Sequence, residues 1–146
     1  MYNVTELIEI LSSKDNKVAY QALQVLQTES EKSNDIYKFF DRFVEMIENE
    51  NSYIRNRGIS LISVNAKWDT ENKIDKIIDG YLKHILDEKP ITARQCIKAL
   101  PNIAKNKSNL VECIREALMK ADISTYDDSM RTLLYKDISS SLKKIK

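Results

Sequence analysis

Glycine and proline are scarce, with two of each in 146 residues. Tight β-hairpins and glycine-rich phosphate loops both need residues that reach positive φ, so neither strand-rich folds nor nucleotide-cradling loops have much to be built from. The two cysteines, Cys96 and Cys113, lack CxxC spacing and have only His84 as an imidazole companion. They are expected as buried free thiols in a reducing compartment, with no metal and no cofactor. No run of 18 apolar residues occurs, and the opening MYNVTELIEILSSKDN lacks a basic region followed by an apolar stretch and a small-residue cleavage site. Neither secretion nor membrane spanning is expected, and the predicted location is cytoplasmic. Net charge is missing too: 23 Lys and Arg against 22 Asp and Glu give +1. No overall field draws the molecule to nucleic acid or anionic lipid, so any basic site must be local.

What remains is a helical vocabulary. A composition 42% hydrophobic and 31% charged is that of a soluble globular chain, and 1–146 is expected to form a single domain with one continuous core. Apolar residues recur at three- and four-residue spacing in eight stretches, near 4–12, 16–30, 35–49, 52–66, 72–87, 90–106, 109–120 and 128–144. Each is opened by a polar residue able to cap free amides. In the third, Ile36, Phe39, Phe40, Phe43, Met46 and Ile47 share a face, and in the fifth Ile74, Ile77, Ile78, Tyr81, Leu82 and Ile85 do. The class is all-α.

The even-numbered stretches align with one another. With Val18, Ile54, Thr92 and Met130 as position zero, the separations are 36, 38 and 38 residues, the period of two-helix repeats. Position four holds Ala22, Gly58, Cys96 and Leu134; position eight holds Leu26, Ile62, Leu100 and Ile138. Zero, four and eight make one helix face, expected to be buried. Three residues before zero stand Asp15, Asn51, Lys89 and Asp127, three of them good N-caps, while Pro90 after Lys89 suits the first helical position. Gly58 points to a close helix approach. Pro101, inside the sixth stretch, is expected to bend its helix.

The run Ile54-Arg55-Asn56-Arg57-Gly58-Ile59-Ser60-Leu61-Ile62 resembles the second helix of a HEAT repeat, in which a β-branched residue and Arg precede a small residue and then a Leu-like one. Val18 to Leu26 and Thr92 to Leu100 keep the apolar part with Ala19 and Ala93 in place of the Arg, and Met130 to Ile138 restores it as Arg131. NAKWD at 65–69 and KPITARQCIKALP at 89–101 also resemble a family of short bacterial HEAT-like proteins, some carrying an iron-sulfur-assembly (SufBD) label. The resemblance implies a right-handed α-α superhelix of about four helical hairpins, a HEAT-like or armadillo-like solenoid in a bacterial cytosol.

In such a solenoid, positions two, three and six of each second helix face the inner side. They are Tyr20, Gln21 and Gln24; Asn56, Arg57 and Ser60; Arg94, Gln95 and Lys98; and Thr132, Leu133 and Lys136. Four are basic and none is acidic. The candidate partner-binding residues are Tyr20, Gln24, Asn56, Arg57, Arg94, Gln95, Lys98 and Lys136, with the cations and amides suited to an acidic protein or peptide. A merely solvated helix face is the alternative reading of the same positions.

Other candidates have plainer readings. Trp68, beside Lys67, offers a stacking surface but is expected to plug the joint between hairpins. His84 has no acid or Cys in ligand spacing and is expected to be exposed and inert. Asp87 with Glu88, and Asp127 with Asp128, fall at helix starts, where they oppose the helix dipole rather than form a catalytic pair. No GxGxxG, GxxxxGK, HExxH, GxSxG or EF-hand pattern is present. The last stretch carries a wide apolar stripe, Met130, Leu133, Leu134, Tyr135, Ile138, Leu142 and Ile145, expected to cover the seventh helix, with weak homodimerisation as the alternative to a monomer. The expected function is therefore non-catalytic binding of a protein or peptide. A DNA-binding protein related to HEAT-like alkylpurine DNA glycosylases, with Trp68 and Asp69 as its stacking and acidic pair, is the second reading; nucleic acid is not the expected partner.

Overall fold

The helix starts show how closely local chemistry sets the architecture. In the computed structural model, which describes residues 3–145, Asp15 opens α2 (Asn16–Lys32) by accepting the N–H groups of Lys17 and Val18 at 3.1 and 3.3 Å. Asn51 opens α4 (Ser52–Val64) by accepting from the Tyr53 N–H at 2.8 Å. Lys89 stands before α6 (Pro90–Asn106), whose first residue is a proline with no amide to satisfy. Asp127 precedes α8 (Asp128–Lys144), but through its backbone carbonyl, which accepts from Met130 and Arg131 at 2.9 Å each; its side chain makes no capping bond. The four starts thus recur at the spacing of the sequence register.

The other four helices are α1 (Val4–Ile10), α3 (Phe40–Ile47), α5 (Lys73–Leu82) and α7 (Val111–Lys120). The third, fifth and seventh stretches are each split into an α-helix and a 3₁₀ turn, at Tyr37–Phe39, Lys83–Leu86 and Ser108–Leu110. These tight turns close the ends of short helices where amides and carbonyls would otherwise be free. Among the described residues all regular structure is helical, and no helix is long and apolar enough to cross a membrane.

Helix packing makes two rows. α2 lies on α4, α4 on α6 and α6 on α8; α1 backs α2, α3 backs α4, the 3₁₀ turn after α5 backs α6, and α7 backs α6 and α8. Position four of the register is buried in every unit, and at position eight Leu26, Ile62 and Leu100 are fully buried while Ile138 is half-buried. Leu26, Ile62, Leu100 and Leu134 each contribute about 1.5–3 kcal/mol by leaving water. Position zero departs from expectation. Ile54 and Thr92 are buried and Met130 half-buried, but Val18 is 41% exposed, because it stands on the free flank of α2 beside an open cavity bounded by α1.

Two special residues explain two close contacts. A Cβ on Gly58 would lie 2.8 Å from Met46 Cβ and 2.9 Å from the Phe43 carbonyl, so the α3–α4 approach requires glycine. Pro101 cannot donate to the Ile97 carbonyl four residues earlier. Ser141 of α8 takes that place, its hydroxyl donating to Ile97 O at 2.8 Å, so a defect within one helix becomes a tie to the next. Trp68 is half-buried at the joint between helix ends, where its indole N–H donates to the Ser30 carbonyl at 2.6 Å.

Candidate binding groove

Several charged residues that look available in the sequence are used to hold one unit against another. Arg55, buried, forks onto Asp87 with contacts of 3.0 and 2.8 Å and also donates to the carbonyls of Asn49 and Glu50. Asp87 accepts in addition from the Lys89 N–H at 2.9 Å and pairs with His84 Nδ1 at 2.7 Å. His84 is therefore not the exposed, unpartnered side chain expected: its side chain is 12% exposed, and Asp87 sits three residues ahead on the same side of the turn. Burial alone would raise the Asp87 carboxyl, but the bonds from Arg55, Lys89 and His84 outweigh it and hold the group below the ordinary carboxylate range.

Asp69 is engaged in the same way. It accepts from the Tyr37 hydroxyl at 2.6 Å and from the N–H groups of Lys73 and Ile74 at 2.9 Å each, and the ammonium of Lys107 lies 3.3 Å away. Burial pushes its pKa up, and these donors bring it net below the usual range. Its carboxylate thus caps α5, which starts after Asn72 in the left-handed conformation at φ 55°.

Two of the four cations expected on the inner face are likewise occupied. Arg57 is 4% exposed; its guanidinium donates to the carbonyls of Leu11 and Ser13 and to Asn16 Oδ1 at 2.7, 3.3 and 2.9 Å, tying the α1–α2 loop to α4. Burial without a carboxylate partner lowers its pKa. Arg94 pairs with the buried Asp137 of α8 at 2.6 Å, which raises its pKa. The helix face expected to be inner is therefore less basic than four free charges would make it: position seven of the next stretch supplies an acid that positions two, three and six do not include.

What stays open is a polar groove over α2, α4 and α6. Between α2 and α4 lies a cavity of about 640 Å³ lined by Tyr20, Leu23, Tyr53, Asn56 and Arg57, with Lys17 at its mouth. Between α4 and α6 lies one of about 580 Å³ lined by Glu31, Ser63, Lys67, Lys98 and Asn102. Gln27, Ser60 and Gln95 line both, so the two are continuous. Gln24 lines a neighbouring cavity with Gln27 and Glu31, and its amide donates to the Tyr20 hydroxyl at 3.3 Å. Gln95 Nε2 donates to Ser60 Oγ and Asn102 Nδ2 to the Ser63 carbonyl, both at 2.7 Å. These bonds set each amide's orientation and leave Gln95 Oε1 and Asn102 Oδ1 without a donor among the described residues. Asn56 Oδ1 also has no hydrogen-bond partner there.

The structure thus brings Tyr20, Gln24, Asn56, Gln95 and Lys98 to this groove, and Arg57 as part of its floor. Arg94 is held at the α6–α8 contact, and Lys136 lies exposed on α8, outside the lining of these cavities. The register residues two, three and six missed Gln27, Tyr53, Ser63, Lys67 and Asn102. Their signal was present: they occupy positions minus one, nine, ten and thirteen, which continue the same helix face by further turns. Among the described residues no three of His, Cys, Asp and Glu are grouped so as to hold a metal ion. Comparisons with protein-family models, with curated proteins and with solved structures returned no match for this chain.

Proposed function

We propose that this chain is a non-catalytic cytosolic scaffold, a short HEAT-like right-handed superhelix that holds a segment of another protein in the groove over α2, α4 and α6. One observation carries the reading. Where the chain needs charged side chains for its own joints, as at Arg55, Asp69 and Asp87, they are buried and bonded to other residues of the chain, whereas the groove side chains Gln27, Gln95, Lys98 and Asn102 stand at an open cavity with hydrogen-bonding capacity to spare. The repeat register supports the superhelix, because helix starts and small buried residues recur at 36- and 38-residue intervals.

A photo-crosslinking residue placed at Gln27 tests this in cells. It should trap a protein partner, while the same residue at Glu112, exposed on α7, should not. Equal trapping at both positions, or none at Gln27, contradicts the groove as the binding surface.

A further inference from the structure

The two halves of the groove differ in chemistry, and the difference describes a ligand. In the α2–α4 half, Tyr20 and Tyr53 are 57% and 55% exposed and stand in one cavity over Leu23. Arg57 in that half is 4% exposed and donates to the Leu11 and Ser13 carbonyls and to Asn16 Oδ1, which leaves Lys17 as the exposed cation of that lining. In the α4–α6 half, Lys67 and Lys98 are exposed and Glu31 is the single acid in the lining. Lys67 donates to the Glu31 backbone carbonyl and lies 5.2 Å from the Trp68 ring, so no carboxylate neutralises it. Lys98 has no ion-pair partner among the described residues.

We propose that the occupant is an extended acidic peptide segment with one bulky apolar side chain, the apolar group entering between Tyr20 and Tyr53 and the carboxylates lying over Lys67 and Lys98. This rests on the reading of the groove as a protein-binding surface and goes on to name what it binds. The free acceptors decide between candidate backbones. Gln95 and Asn102 each use one amide N–H inside the protein and keep the second N–H and the amide oxygen without a partner among the described residues, so they suit a ligand that offers donors as well as acceptors. An extended peptide supplies backbone N–H groups; a helix has already used its own, and a sugar-phosphate chain offers acceptors that these oxygens and Glu31 repel. The tyrosine-walled end takes an apolar anchor because such a side chain removes two large exposed aromatic faces from water at once.

The test uses the full chain and three labelled probes in fluorescence anisotropy: a Glu/Gly-rich peptide with one central Trp, the same peptide with Gly for Trp, and a Lys/Gly-rich peptide with Trp. Oligothymidylate serves as a fourth. The acidic Trp peptide should bind and weaken as salt rises, and loss of its Trp should cost about tenfold in affinity. Lys98→Glu should cost about tenfold with the melting temperature unchanged, since that side chain is exposed and unpaired. Tyr53→Ala should remove the preference for Trp and leave the salt dependence in place. Equal or tighter binding of the basic peptide or of oligothymidylate, absence of a Trp preference, or no binding by any probe overturns the proposal. Those outcomes leave the crosslinking at Gln27 to decide separately whether the groove binds protein at all.

Discussion

Asp87 and Gln95 are eight residues apart, and each touches a neighbouring unit, yet they belong to opposite regimes. Asp87 lies in a joint where Arg55, His84, the Lys89 amide and, through its backbone carbonyl, the Tyr126 hydroxyl converge, with the Arg55 and Asp87 side chains only 7% and 4% exposed. The Gln95 side chain makes one bond within the chain and lines an open groove, its oxygen without a donor among the described residues. In the joint a missing partner leaves a buried charge with nothing to offset it. In the groove a missing partner is replaced by water, so the residue is free to serve a ligand. Units are held together by buried ion pairs, and the groove face is lined by amides, hydroxyls, Lys17, Lys67 and Lys98.

The largest expected effect comes from breaking the joint. Asp87→Ala leaves the buried Arg55 guanidinium with only the exposed Glu88, 3.9 Å away, as a carboxylate partner and should cost about 3–5 kcal/mol in urea denaturation; a loss below about 1 kcal/mol would mean that the joint does not hold the units together. Acid should act on the same groups. Both Asp69 and Asp87 titrate below the unfolded carboxyl value, so their stabilisation is complete above about pH 4 and lost as pH falls through the folded values. Denaturation midpoints measured at decreasing pH should fall in that range, and less steeply in Asp69→Asn and Asp87→Asn; parallel curves would exclude these two groups as the cause.

Packing comes next. Gly58→Ala forces a carbon against Met46 Cβ and the Phe43 carbonyl and should cost about 1–3 kcal/mol. Ser141→Ala leaves the Ile97 carbonyl, already deprived by Pro101, without a donor and should cost about 1–3 kcal/mol. Both are read by denaturation, and an unchanged midpoint for either would show that the contact is not tight. Smallest is the groove: Lys98→Glu should change stability by no more than about 0.5 kcal/mol. A larger loss would place Lys98 among the joints.

The same contrast explains what could be read ahead of the structure. Helix existence, the helix starts after 15, 51, 89 and 127, the caps at Asp15 and Asn51, the all-α class and the glycine contact were all legible, because each depends on spacing along one helix and on local cap chemistry. Arg57 and Arg94 were expected as free cations, and the structure engages both in contacts within the chain. Periodicity gives the direction in which a side chain leaves its helix; it does not reveal that the Leu11 carbonyl, 46 residues away, or Asp137, 43 residues away, stands in front of it. His84 and Asp87 were closer to hand, at a three-residue spacing that brings side chains together on one turn, but His84 was read as having no acid in ligand spacing and Asp87 only with Glu88 at a helix start.

The most direct test is to follow side-chain amide resonances while the crosslinked partner's segment is titrated onto the protein. Gln27, Gln95 and Asn102 should shift together and saturate at one concentration, while the amide of the buried Asn65, fixed on Leu61 O and Ser30 Oγ, stays in place. Shifts confined to α3, α5 and α7, with the groove amides unmoved, would contradict the account.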